Sequence, residues 1–189
     1  PSRGFVRGYA FQIARGAGPV TTAQGGMGAG PIPWGGNHRA SFDRLFGRNA
    51  VIAVIGEDLP ELHNQVTIDP ELTDSDGIPA PKVTYTMSDN SIKLMAHGMA
   101  RGEEVMTAAG AIDVQINPLL RRGGWHLLGT ARMGNDPANS VVDSLGRSHD
   151  VKNLFIIDGS VFVTAGAVNP TPTIQAVALH IADQFKQNS

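Results

Sequence analysis

A histidine lies among glycines in the stretch GGWHLLGTARMG, residues 123–134. A neutral imidazole held in fixed geometry accepts a proton near neutral pH, which typically gains about 10²–10⁴ in rate. The glycines around it, including Gly129, allow the backbone to pack closely against a large planar ligand. His126 is therefore a candidate general base. A hydrogen-bonded core histidine and a metal ligand fit the same pattern.

A second group of polar residues follows in DGS at 158–160 and NPT at 169–171. The amide of Asn169 both donates and accepts hydrogen bonds without titrating. Across a shared pocket from His126, it would hold a substrate hydroxyl. Composition and spacing alone leave this interpretation open.

Metal binding and serine nucleophilic catalysis find little support in the residue spacing. The six histidines show neither H-x-x-x-H nor H-E-x-x-H spacing, and the chain has no cysteine. Ser160 lies in DGSVF rather than in a G-x-S-x-G elbow, so we predict a turn hydroxyl there.

The elements that must position these residues begin with a Gly- and Pro-rich stretch at 1–48, which we predict to be loop. It contains no G-x-G-x-x-G, because Pro31 and Pro33 stand where the third glycine would be. Next come a strand at 48–58, a hairpin at 64–87, a helix from 88 to 109 and a strand at 111–117. This order predicts an antiparallel sheet backed by helices.

The last fifty residues change character. NLFIIDGS at 153–160 is continuously apolar and predicts a strand covered on both faces, as in a parallel sheet. NPTPTIQAVALHIADQF at 169–185 predicts a helix with Pro170 and Pro172 in its first turn. Strand, loop and helix together indicate a piece of a doubly wound fold, which binds ligands at the carboxyl ends of its strands.

Composition excludes several functional classes. The 189 residues carry a net charge of −2, and the basic residues are scattered, whereas nucleic-acid binding needs a concentrated basic face. The longest apolar run, AVIAVIG at 50–56, is too short to span a bilayer. Compartment is left open between the cytoplasm and the periplasm.

Several motifs in order resemble the C-terminal signature of the glucose–methanol–choline (GMC) oxidoreductases. These are H-x-x-G-T-x-R-M-G, then D-P, S-V-V-D, N-L with an apolar run to D-G-S, and N-P-T-x-T-I before the final helix. Residues 125–185 carry the resemblance strongly and residues 56–81 more loosely. Within the family, the sequence is most similar to the branch of sugar and gluconate dehydrogenases and pyranose oxidases.

The resemblance implies an FAD enzyme that oxidises an alcohol group of a sugar, sugar acid or polyol. His126 would take the hydroxyl proton while hydride passes to flavin N5, and Asn169 would hold the same oxygen. The resemblance also implies which residues contact the flavin: Trp125, Asp158, Gly159, Asn169, Pro170 and Thr171. Whether electrons then pass to O₂ or to another acceptor is left open.

The family's N-terminal dinucleotide fingerprint is absent from the sequence. We therefore expect an α+β chain with a substrate-binding domain at 1–135 and, at 136–189, a segment that completes an FAD-binding domain. The N-terminal half of that domain is an expected partner, as part of a longer protein or as a separate chain. The alternative is a catalytically silent fragment or a substrate-binding module without the FAD half.

Overall fold

The structure is a computed structural model that describes residues 2–25, 32–119 and 124–187. It divides into two compact units, one built from residues 1–56 and 93–122 and the other from 57–92 and 123–189. The helices and strands run in the order β1 (Tyr9–Arg15), α1 (Pro19–Ala23), α2 (His38–Leu45), β2 (Ala50–Gly56), β3 (Gln65–Thr73), β4 (Pro79–Thr84), α3 (Asp89–Ala108) and α4 (Thr171–Gln187). The predicted boundary between residues 135 and 136 lies within the second unit and stays a prediction.

A two-stranded antiparallel sheet organises the first unit. β2 forms where the apolar run predicts a strand, and it pairs with β1 from Tyr9 opposite Gly56 to Arg15 opposite Ala50. The expectation of loop throughout residues 1–48 is therefore wrong. Pairing with β2 outweighs the local Gly- and Pro-rich composition, and two short helices, α1 and α2, also form there. The glycine-rich residues 26–31 lie outside the described residues.

Helix α3 confirms the predicted helix and packs on this sheet through a glycine. A Cβ at Gly98 would lie 2.5 Å from Cγ1 of Val54 and 3.5 Å from the Tyr9 ring, so only glycine permits the close approach. Leu94 on the same helix is buried. The helix begins with the Ser88 hydroxyl accepting the backbone N–H of Ser91 at 3.2 Å, as expected of an N-cap.

The predicted strand at 111–117 is wrong. The segment has no strand conformation, and Ile112 is 98% exposed. Alternating apolar residues form a strand only when a neighbouring strand satisfies their backbone groups, and within the described residues no strand pairs with this segment.

The second unit contains the predicted hairpin. β3 and β4 pair antiparallel, with Val66 opposite Val83. Their connection is closed by Asp74, whose Oδ1 accepts the backbone N–H groups of Asp76 and Ile78, both at 2.9 Å. The expected single antiparallel sheet is replaced, in the described part of the chain, by two separate two-stranded sheets.

The predicted parallel strand at 153–160 is also wrong. The Leu154 carbonyl accepts the Ser148 N–H at 2.9 Å, and the Ile156 N–H donates to Gly146 at 2.8 Å. Phe155 thus forms one antiparallel bridge with Arg147. A regular strand needs a partner along its length, and the short segment 146–148 provides one bridge only.

Helix α4 confirms the predicted C-terminal helix. Its Ile181 is 4% exposed, and the Ile181 Cδ1 would lie 3.5 Å from a Cβ at Gly146. Val142 and Val161 complete the buried centre of this unit. Within the described ranges, no helix is long and apolar enough to cross a membrane.

Candidate functional site

His126 has an unusual backbone conformation. Its φ is +63°, in the left-handed region that few residues other than glycine adopt. Its side chain is half-buried, whereas the neighbouring Trp125 and Leu127 are 63% and 78% exposed. Strained backbone of this kind persists where the surrounding structure imposes it and is often found at functional sites.

The stretch that contains this residue, which we call the His126 segment (residues 124–134), lies along residues 159–163. The backbone N–H of Ala131 donates to the Ser160 carbonyl at 2.9 Å, and that of Met133 donates to Val161 at 2.8 Å. Val161 is fully buried. The His126 segment is therefore tied by its backbone to the core of the second unit.

Gly159 is the point where three predicted parts of the site meet. A Cβ there would lie 3.0 Å from Leu128 Cδ2, 3.3 Å from the Leu127 carbonyl oxygen and 3.2 Å from Ile174 Cδ1. Leu127 and Leu128 follow His126 directly, and Ile174 belongs to the first turn of α4. The fold thus brings together the His126 segment, the DGS motif and the start of α4.

Asp158 caps a short 3₁₀ helix, Gly159–Val161. Its Oδ1 accepts from the hydroxyl of Ser160 at 2.5 Å and from the backbone N–H of Ser160 at 2.8 Å. These two donors, the hydroxyl first, hold the pKa of the Asp158 carboxyl below its usual value of 3.8. The site therefore carries a negative charge at neutral pH, and Ser160 is the turn hydroxyl predicted.

The other predicted site residues precede α4. Asn169 is exposed, Pro170 accepts the backbone N–H of Ile174 at 3.0 Å, and Thr171 is the first residue of the helix. Ala167, just before them, is another non-glycine residue with positive φ, +48°. Contacts through Gly159 and Ile174 join this region to the His126 segment, and the pairing of Asn169 with His126 stays a prediction.

Sequence reasoning did not single out His149, which lies at the far end of the His126 segment. Its Nε2 is 2.9 Å from the Ser140 hydroxyl and 3.1 Å from the Gly134 carbonyl oxygen. Only the fold shows this, because the three residues form no recognisable motif. Among the described residues, no group of three potential metal ligands comes together.

Comparison with known proteins identifies the family. A family model described as GMC oxidoreductase matches residues 60–178. The chain belongs to the GMC oxidoreductase family. This confirms the resemblance drawn from the ordered motifs, and the family is one of FAD flavoproteins acting on CH–OH groups.

Two curated relatives and one solved structure are informative. The 2-methyl-1,2-propanediol dehydrogenase of Mycolicibacterium austroafricanum is 43% identical over 98% of this GMC chain and 34% of its own length. The fructose dehydrogenase large subunit of Gluconobacter japonicus is 35% identical over 67% of this chain and 23% of its own length. This chain thus spans about a third of the first relative and about a quarter of the second.

The crystal structure of pyridoxine 4-oxidase from Mesorbium loti has the same fold over 75% of this chain and 31% of its own. The TM-score is 0.50 and the identity is 22%. At that identity, the likeness concerns the fold alone. It agrees with the mixed arrangement of helices and antiparallel strands described above.

Proposed function

We propose that this chain supplies the catalytic base and part of the flavin-binding surface of an FAD-dependent enzyme. That enzyme oxidises an alcohol group of a polyol, sugar or sugar acid. Family membership and the names of the relatives support the reaction class. The observation that carries the assignment of residues is the packing at Gly159, which joins the His126 segment, Asp158 and α4.

The described residues fit a flat cofactor with a polar tail. Trp125 and Leu127 leave apolar surface uncovered beside His126, and Gly159 lets Leu128 and Ile174 pack closely behind this surface. The ionised Asp158 is suited to accept hydrogen bonds from ribityl hydroxyls. The backbone N–H groups at the start of α4 suit a site where negative charge develops. When bound, the flavin supplies the acceptor for the hydride that leaves the substrate carbon.

In this proposal the protein residues act on the substrate oxygen. An imidazole nitrogen of His126 accepts the hydroxyl proton as the carbon–hydrogen bond breaks. The side-chain amide of Asn169 holds the same oxygen and prevents it from turning away. In this proposal the positive φ of His126 directs its Cα–Cβ bond, and with it the imidazole ring, toward the substrate oxygen.

The proposal assigns the FAD diphosphate to another part of the enzyme. The backbone loop G-x-G-x-x-G that holds a diphosphate at a helix N-terminus does not occur in this sequence. The two curated relatives are about three and about four times as long as their matched regions, so the remaining polypeptide is the expected partner. The substitutions below therefore belong in the complete enzyme.

Replacing His126 with asparagine tests the base assignment. Asparagine tolerates positive φ better than other residues except glycine, so His126→Asn removes the base while preserving the backbone. We expect turnover of the alcohol to fall about 10²–10⁴-fold, with flavin content unchanged. Steady-state kinetics and the flavin absorbance of the purified enzyme measure these two quantities.

The matched control is His63→Asn, which alters an exposed histidine in a turn of the same unit and should leave turnover unchanged. Full activity in His126→Asn would reject the base assignment. A complete enzyme that binds flavin yet shows no bleaching with any polyol or sugar would reject the proposed reaction, whereas a native protein without a flavin band would favour the fragment that lacks the FAD half.

A further inference from the structure

His149 forms a hydrogen-bonded cluster with Gly134 and Ser140. Its Nε2 lies 3.1 Å from the carbonyl oxygen of Gly134 and 2.9 Å from the hydroxyl of Ser140. The Ser140 hydroxyl is in turn 2.6 Å from the backbone carbonyl oxygen of Asp136. The cluster closes the loop between residues 134 and 140, and it lies outside the residues assigned to catalysis above.

The partners determine which nitrogen of the His149 ring carries hydrogen. A carbonyl oxygen only accepts, so Nε2 must be protonated to bond to Gly134. The Ser140 hydroxyl donates its one hydrogen to the Asp136 carbonyl, so towards His149 it also accepts. Nε2–H is therefore shared between two acceptors, and the ring cannot act as a base toward Ser140. This geometry excludes a serine–histidine catalytic pair.

The cluster connects directly to the backbone that carries His126. Gly134, the last residue of the His126 segment, donates its N–H to Val142 at 2.9 Å and receives the His149 bond on its carbonyl. One residue earlier, Met133 donates to the buried Val161. Residues 160 and 161 therefore bind the middle of the His126 segment, and His149 binds its C-terminal end.

The two ends of the loop approach each other closely at Gly134. A Cβ at Gly134 would lie 3.0 Å from Cβ of Ser140, so the two ends of the loop are already in contact. Without the Nε2–H donor, the half-buried Gly134 carbonyl and Ser140 hydroxyl would lose a partner. For these two groups to form hydrogen bonds with water instead, the loop and the end of the His126 segment would have to move apart.

We propose that His149 is a positioning residue, and that its Nε2–H ties Gly134 to Ser140 and thereby holds the His126 segment in its catalytic geometry. This inference rests on the proposed function. Displacement of a catalytic group by about 1 Å can cost as much as 10²-fold in rate, so a distant hydrogen bond can affect turnover without touching the substrate.

The test compares two substitutions of His149 in the complete enzyme. His149→Gln places an amide N–H near the position of Nε2, whereas His149→Leu fills similar space without a donor. We expect His149→Leu to lower kcat about tenfold to hundredfold with little change in KM. His149→Gln should restore most of that loss, and both variants should retain flavin. The control His63→Leu, at an exposed position, should change none of these quantities.

A second measurement does not depend on activity. The ¹⁵N chemical shifts of the labelled histidine ring distinguish an Nε2–H from an Nδ1–H imidazole, and we expect Nε2–H. An Nδ1–H tautomer would overturn the proposal even if His149→Leu failed to fold. A His149→Gln variant as slow as His149→Leu, or unchanged kcat in His149→Leu, would overturn it too.

These outcomes separate the two proposals. Unchanged turnover in His126→Asn would reject the proposed function, whatever His149 does. Loss of turnover in His126→Asn together with unchanged kcat in His149→Leu would retain the proposed function and reject the positioning role.

Discussion

Asp158 is held in its ionised form by two donors from a single neighbour, Ser160. Because these donors lower the pKa of Asp158 in the folded state, the contact stabilises the fold fully above the ordinary value of 3.8. That contribution is lost as the pH falls through the lower folded pKa. Because the carboxylate is exposed, we expect it to matter more for the negative charge it places at the site than for the stability of the fold.

The substitution Ser160→Ala tests whether the Ser160 hydroxyl lowers the pKa of Asp158. In Ser160→Ala the larger of the two causes is lost, and we expect the pKa of Asp158 to rise toward 3.8 while the backbone N–H keeps it somewhat lower. A ¹³C NMR titration of the aspartate carboxyls in the complete enzyme would measure it. Asp136, whose pKa is lowered by the Ala138 N–H and the Asn139 side chain, is the internal control and should not move. An unchanged pKa of Asp158 in Ser160→Ala would contradict the assignment of the Ser160 hydroxyl as the larger cause of the shift.

For individual residues, the sequence predicts which side chains belong to the candidate site better than it predicts how they are arranged in space. The ordered motifs mark His126, Asp158 and Gly159, and the fold brings their segments together at Gly159. The motifs do not reveal the positive φ of His126 or the role of His149, because both depend on contacts with residues distant in sequence.

Among the elements, the sequence correctly predicts those whose stability is local, namely helices α3 and α4 and the β3–β4 hairpin. Helix α3 has its own N-cap in Ser88, helix α4 has a regular apolar face, and the β3–β4 hairpin is closed by Asp74 in its turn. The segments at 111–117 and 153–160 were predicted wrongly as strands, since a strand needs a partner that its own sequence does not reveal. β1 was missed for the converse reason, because its partner β2 stabilises it.

The packing of elements at Gly159 makes a sharp prediction. Gly159→Ala places a methyl group 3.0–3.3 Å from Leu128, Ile174 and the Leu127 carbonyl oxygen. We expect it to destabilise the enzyme by about 1–3 kcal/mol and to lower turnover by displacing the His126 segment. Denaturant unfolding and steady-state kinetics measure the two effects.

Gly166→Ala is the matched control, because a Cβ at Gly166 would meet nothing within 4 Å. It should be neutral or slightly stabilising, by about 0.4–1 kcal/mol at most. Equal behaviour of the two variants would show that the close approach at Gly159 does not hold the elements together.

On the scale of the whole molecule, the second unit has an apolar groove between α4 and residues 155–157. Its volume is about 310 Å³, and its lining is Phe155, Ile157, Ile181, Ala182, Phe185 and Lys186. Phe185 is 52% exposed and meets Phe155 edge-on at 5.4 Å between ring centres. Under the proposed function, we expect the remaining polypeptide of the flavin-binding domain to cover this groove.

The substitution Phe185→Ala tests whether the remaining polypeptide covers the apolar groove in the complete enzyme. If the side chain stays as exposed as in this chain, the free energy of unfolding of the complete enzyme should fall by only about 0.5–1.5 kcal/mol, the contribution of its edge-on contact with Phe155. If the remaining polypeptide covers it, we expect a loss of about 3–5 kcal/mol, as for a buried phenylalanine, together with weaker flavin retention. Leu62→Ala, at an 82% exposed position outside the groove, should change neither quantity. A small effect of Phe185→Ala would mean that the flavin-binding domain is completed elsewhere on the chain, because a covered phenylalanine cannot be truncated without leaving a cavity.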